Sequence, residues 1–112
     1  MTTQPVMSPP LVRPKDLVLE VIGDRWSVLI IDAALRGTAR FSDFRRQLDI
    51  SSDVLSGRLR RLVELALFEK QAYKVGRDRA RVLYSMTDAG RALTPILLEM
   101  RAWQSRIESA RS

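Results

Sequence analysis

FSDFRRQLDISSDVLSGRLRRLVELALFEKQAYKVGRDRARVLYSMT, residues Phe41 to Thr87, is the stretch that decides the fold. Within it the apolar spacing changes once, from the three-and-four steps of helices to the alternation of strands. Phe41, Phe44 and Leu48 fall on one side of a short helix and Arg45 and Arg46 on the other. Ser42 is the candidate cap of that helix, and Asp43 stands in its first turn, where negative charge suits the helix dipole. A tight connection through Asp49 and Ile50 reaches Ser51 and Ser52, either of which can cap a second helix. There Leu55, Leu59, Leu62 and Val63 form an inner stripe. Stepping by about 100° per residue puts Asp53, Gly57, Arg60 and Arg61 on the opposite side, with Val54, Ser56 and Arg58 flanking. Two short helices in succession, the second with an apolar seam and a polar-basic outer face, make the helix-turn-helix pattern.

After Leu67 the period shortens. FEKQAYKV (Phe68–Val75) and RVLYSMT (Arg81–Thr87) flank GRDRA, and Val82, Tyr84 and Met86 alternate with Leu83 and Ser85. Gly76 and Asp78 supply turn chemistry, so a hairpin is expected with Lys74, Arg77, Arg79 and Arg81 at its tip. A helix-turn-helix followed directly by a two-stranded ribbon is a winged helix.

Upstream, Leu17, Val18, Val21 and Ile22 share a helical face, and Gly23 is placed to end that helix in a left-handed conformation. Asp24 can cap the next helix, whose apolar positions Trp26, Val28, Leu29, Ile30, Ile31 and Ala33 cover much of its circumference. That helix ends near Gly37. Downstream, Thr87 can cap a final helix with Leu93, Ile96, Leu97, Met100, Trp103 and Ile107 on one stripe, which Pro95 should kink or restart. Residues 1–14, with four prolines, read as an irregular arm, 15–108 as the domain and 109–112 as a tail. The fold class is therefore α+β, mostly helical: a winged helix-turn-helix with extra N- and C-terminal helices.

A chain of 112 residues holds one small core. It contains no Cys and no His, which removes thiolate nucleophiles, disulfides, Cys/His metal sites and imidazole bases. No cofactor or metal is expected. An enzyme would need a buried carboxylate pair or a lowered-pKa Lys, and no such cluster is visible. Neither a basic-then-apolar leader nor a membrane-length apolar run is present, so a soluble, cytoplasmic protein with no membrane partner is expected. The net charge of +6 is unevenly placed, since residues 40–81 carry eleven basic groups against six acidic ones. A localised positive surface attracts a polyanion, and double-stranded DNA is the commonest.

On such a duplex the second helix of the pair fits the major groove and the wing reaches phosphates or the minor groove. Ser51, Ser52, Asp53, Ser56, Arg58, Arg60 and Arg61 are the candidate readers, with the two serines also caps. Asp53 repels phosphate but can accept from a cytosine amino group. Lys74, Arg77, Arg79 and Arg81 in the wing and Arg40, Arg45 and Arg46 before it are candidate phosphate ligands. Trp26, Phe41 and Phe44 are read as core. The C-terminal stripe is long for one small domain to cover, which favours a dimer surface over intramolecular packing. A winged-helix adaptor that binds protein is the rival reading.

VIGDRWSVLIIDAALRGTARFSDFRRQLDISSDVLSGRLRRLVE (Val21–Glu64) resembles the HxlR-type bacterial transcriptional regulators. Their pattern is met by Ile22, Gly23, Arg25 and Trp26, then Arg40, Phe41 and Phe44, then Ile50, Ser51, Leu55, Ser56, Arg58 and Leu59. Tyr84–Gly90 is similar to the family's strand-to-helix signature, and the likeness covers about Pro14 to Trp103. It implies sequence-specific binding of a pseudo-palindromic operator by a homodimer built from the terminal helices, through Leu17, Val18, Leu97, Met100, Trp103 and Ile107. A small-molecule effector would sit between the Trp26 helix and the dimer helices. Three departures stand out. Arg13, before Pro14, occupies the place of a Cys that many members use for sensing. Ala66 replaces the Gly that closes the recognition helix, and either costs ~1 kcal/mol by adopting positive φ or lets the helix run on. The wing reads GRDRARV where relatives often have a Pro-containing turn.

Overall fold

The apolar steps of the sequence become helices and one hairpin in the computed structural model, which describes residues 9–75 and 79–111. Among them lie α1 (Leu17–Ile22), α2 (Arg25–Leu35), α3 (Phe41–Leu48), α4 (Ser52–Glu64), β1 (Phe68–Val75), β2 (Arg79–Met86), α5 (Asp88–Arg91) and α6 (Thr94–Arg111). Side-chain oxygens start three of the helices. Asp24 accepts from the Ser27 amide at 2.8 Å and Ser51 from the Val54 amide at 3.3 Å, which makes Ser51 the cap and Ser52 the first residue of α4. Thr87 accepts from the Gly90 amide at 3.1 Å and donates its hydroxyl to the Ala66 carbonyl at 2.6 Å. The chain breaks after α5 and restarts as α6 with Pro95 in the first turn, where its missing N–H removes no helical bond. α6 then runs through Arg111, into the segment expected to be a tail.

Two local expectations are corrected. Gly23 is right-handed, with φ −79°. It serves by close approach instead, because a Cβ there would lie 2.3 Å from the Leu19 carbonyl oxygen. Ser42 lies inside α3, whose N-cap is the extended Arg40 without a side-chain cap bond. The cause is tertiary. Arg40 forms an isolated antiparallel bridge with Leu83, and the Tyr84 amide donates to the Ala39 carbonyl at 2.8 Å. The hairpin thus ties the start of α3 to its edge.

The core gathers the inward faces of α2, α3, α4 and the hairpin base. Ile30, Ile31, Phe44, Leu55 and Leu59 are fully buried, with Val21, Ile50, Leu62, Leu67, Phe68 and Met86 close behind. β1 and β2 pair antiparallel from Phe68 opposite Met86 to Val75 opposite Arg79. Because side chains alternate, the buried Phe68 and Met86 place Lys70 and Tyr84 on the same face, one step out along the hairpin.

Two kinds of contact hold α4. Its seam of Leu55, Leu59 and Leu62 is buried, and truncating such a side chain to Ala costs ~2–5 kcal/mol. Around the seam, Arg58 donates from Nε and Nη2 to Asp24 at 2.8 and 3.3 Å, tying α4 to the cap of α2. Arg61 donates from Nε and, at 2.9 Å, from Nη2 to Glu20 of α1, and from Nη1 to Glu64 at 3.3 Å. With Arg58 40% exposed, its pair with Asp24 is worth only ~0.2–1 kcal/mol. The seam therefore seats and orients the helix, and the guanidinium groups add a weak restraint on one flank.

These pairs leave a titration signature. Burial pushes the Asp24 carboxyl up, but the bonds from Arg58 and Ser27 outweigh it and hold the group below its usual 3.8. Glu20 is likewise lowered, chiefly by the hydrogen bond from Arg61, from its usual 4.5. A carboxyl depressed in the folded state contributes stability above its unfolded pKa and loses it as pH falls through the folded value. In urea titrations Asp24→Asn should cost about 1 kcal/mol at pH 7, and the gap should shrink below pH 4 toward the lowered folded pKa. A gap independent of pH would refute the charged role of Asp24.

The end of α4 carries backbone strain. Ala66 has φ +59°, and the amides of Ala66 and Leu67 return to the carbonyls of Val63 and Leu62 at 2.9 and 3.0 Å. This is the Schellman closure, which Gly fills most readily. Ala66→Gly should accordingly raise stability by ~0.5–1 kcal/mol, read as a higher thermal midpoint. A lower midpoint would mean that the methyl group makes a contact worth more than the strain.

Candidate nucleic-acid interface

With the leucine seam inward, α4 turns Asp53, Ser56 and Arg60 to solvent, and all three are exposed. Ser51, also exposed, stands at the helix start beside the half-buried Ser52. The helix N-terminus and these hydroxyls form a donor-rich end suited to phosphate. Asp53 sits in the first turn and does not cap.

The three arginines of α4 have different surroundings. Arg58 and Arg61 face the α1–α2 side and are held by Asp24 and Glu20. Those partners favour the charged form of both guanidinium groups, first of all through the hydrogen bonds. Arg60 projects toward the hairpin. It lines a groove with Ser56, Val63, Glu64, Lys70 and Tyr84, so one basic side chain of the helix and one of the wing border the same depression. Among the described residues neither Arg60 nor Lys70 makes an ion pair.

Lys70 and Tyr84 were not among the sequence candidates. The signal that could have found them is the hairpin register: once Phe68 is fixed as core, Lys70 falls two residues on, on the same face. Arg81 is exposed and lies on the opposite face, paired with Tyr73. Lys74 and Arg79 continue the strand backbones, but their side chains lie outside the described residues, as does Arg77 altogether. Before the hairpin, Arg40 and Arg45 are exposed without an ion pair among the described residues, and Arg46 meets Asp43 at 3.1 Å while remaining 75% exposed. Arg45 and Arg46 border a shallow depression on α3 with Ser42 and Asp49.

The second surface is apolar. No residue of α6 is buried, and Ile96, Leu98, Met100, Trp103 and Ile107 are among the exposed large hydrophobics, Trp103 at 58%. Leu17, Val18 and Leu19 of α1 are also exposed. Leu97 is half-buried and packs with Leu93 against the domain's own core where α6 begins. A further groove between α2 and α6 has Val28, Leu29, Leu35, Leu97, Met100 and Arg101 among its lining residues. No described helix is long and apolar enough to cross a membrane.

Known proteins share this sequence and shape. The family model of HxlR-like helix-turn-helix proteins matches residues 21–111. An HTH-type transcriptional regulator of Mycobacterium tuberculosis is 41% identical over 85 residues, which are 76% of this chain and 52% of the relative. The chain thus spans about half the length of that protein. The HTH-type transcriptional regulator YodB of Bacillus subtilis is 32% identical over 84 residues, covering 74% of this chain and 73% of YodB. The structure of reduced YodB superposes with a TM-score of 0.71 at 30% identity, over 83% of this chain and 91% of that one. The redox regulator HypR in its reduced form gives 0.72 at 32% identity, over 84% and 92%. Each of these relatives is named as a regulator. With its helix-turn-helix, hairpin wing and flanking helices, the chain belongs to the HxlR-like helix-turn-helix family.

Proposed function

We propose that this chain is a winged-helix transcriptional regulator that binds a pseudo-palindromic DNA site as a homodimer. The observation that carries the reading is the free outer side of α4, where Arg60 stands over the groove that Lys70 borders from the wing. Helix and wing then straddle one backbone, α4 entering the major groove and the hairpin touching the phosphates beside it. Asp53, Ser56 and Arg60 are the base-facing positions, and Ser51 and Ser52 present the helix N-terminus to a phosphate. Arg58 and Arg61, expected as readers, act instead by positioning α4 through Asp24 and Glu20. Lys70, Lys74, Arg77, Arg79 and Arg81, with Arg40, Arg45 and Arg46, supply affinity without sequence preference.

Dimerisation rests on α6 and α1. An 18-residue helix with no buried residue and an exposed Trp103 is supported by a second copy that covers Met100, Trp103 and Ile107 along with Leu17 and Val18. The groove between α2 and α6 is the place for a small-molecule effector. These 112 residues offer no thiol to such regulation.

Gel retardation against pooled genomic fragments at two salt concentrations tests the DNA reading. Retention of a subset, weakening steeply with salt, is expected; absent or salt-insensitive retardation would favour a protein-binding adaptor. Lys70→Ala should weaken all duplexes alike and lower the salt slope by about 0.9, whereas Arg60→Ala should change the preference among duplexes by ~1–3 kcal/mol. Equal losses for Arg60→Ala on selected and random duplexes would remove its base-reading role. In sedimentation equilibrium the chain should run as a dimer and Trp103→Glu should weaken association by at least about tenfold. A wild-type monomer at tens of micromolar would overturn the dimer.

A further inference from the structure

Four glycines lie among the described residues, and the fold itself explains three. Gly23 and Gly90 each have a backbone carbonyl oxygen 2.3 Å from where a Cβ would stand, and Gly37 has φ +106°. Gly57 differs. It lies in the interior of α4, its φ is not positive, and a Cβ built on it meets nothing within 4 Å. Glycine in a helix interior costs stability relative to alanine, because it surrenders more chain entropy on folding. Nothing inside the described molecule repays that cost.

Its position suggests what does. Gly57 occupies the middle of the outer arc of α4, with Asp53 and Arg60 one turn to either side and Ser56 beside it. A helix with its side chains is about 10–12 Å across, and the major groove is about 12 Å wide, so the fit is tight. The side chain at the deepest point of the arc sets how far the helix axis is held from the groove floor. We propose that Gly57 is the point of closest approach between α4 and the duplex, its main chain lying against a base edge with no side chain between. It is thereby a specificity-determining position, since it brings Ser56 and Arg60 within reach of the bases. This rests on the DNA-reading function proposed above.

The test exploits opposite signs. Gly57→Ala should raise the thermal midpoint by about 2–6 °C, as expected of a helix with open space at that site. The same variant should bind a duplex selected by the wild-type chain from genomic fragments at least about tenfold more weakly, while affinity for a random duplex of equal length changes less than about twofold. A lowered midpoint would show that the fold needs this glycine and would overturn the proposal. So would undiminished discrimination by Gly57→Ala when the wild type discriminates, leaving the DNA-reading function intact. If the wild type itself binds all duplexes alike, or none, that function falls and this inference falls with it.

Discussion

The burial of Leu55, Leu59 and Leu62 against α2, α3 and the hairpin base is the constraint on which the rest depends. A helix has one apolar stripe to spend on a core, and once these leucines are inside, the opposite arc must face out. The two ion pairs to α1 and α2 are too exposed to seat the helix, but they resist its rotation from one flank. On the other flank the hairpin base fills the space through Phe68 and Met86. The result is a polar arc of defined orientation next to a basic groove, reached without any residue being buried for function alone.

That division explains why the arginines of α4 are not equivalent. Arg58 and Arg61 have carboxylate partners within the chain, and any duplex would have to compete with them. Arg60 has no such partner among the described residues and lies on the wing side. Positive charge in residues 40–81 is therefore of two kinds: part of it is paired with carboxylates of the chain, and part has no ion-pair partner among the described residues. Net charge alone does not separate the two, because both kinds of guanidinium count equally toward +6.

Much of the architecture was legible in the sequence because local rules and tertiary packing agree there. Asp24, Ser51 and Thr87 cap where their side chains suggested, Pro95 restarts a helix, and the change of period after Leu67 marks the hairpin. Of the two outcomes open to Ala66, a positive φ or a longer helix, the structure has the positive φ. The misses have tertiary causes. Arg40 became the cap of α3 because β2 holds it extended. The pairing of Arg58 with Asp24 spans 34 residues and that of Arg61 with Glu20 spans 41, distances over which helical spacing carries no information. Lys70 escaped because its face depends on a register fixed only once Phe68 is known to be buried.

Amide chemical-shift mapping by NMR during titration with a genomically selected duplex addresses the orientation of α4 most directly. Shifts concentrated on the start and outer arc of α4, on Lys70 and on the neighbouring wing strands are the expected result, with the leucine seam and the far end of α6 quiet. Shifts gathered on α6 or on the groove between α2 and α6, with the outer arc of α4 unmoved, would contradict it.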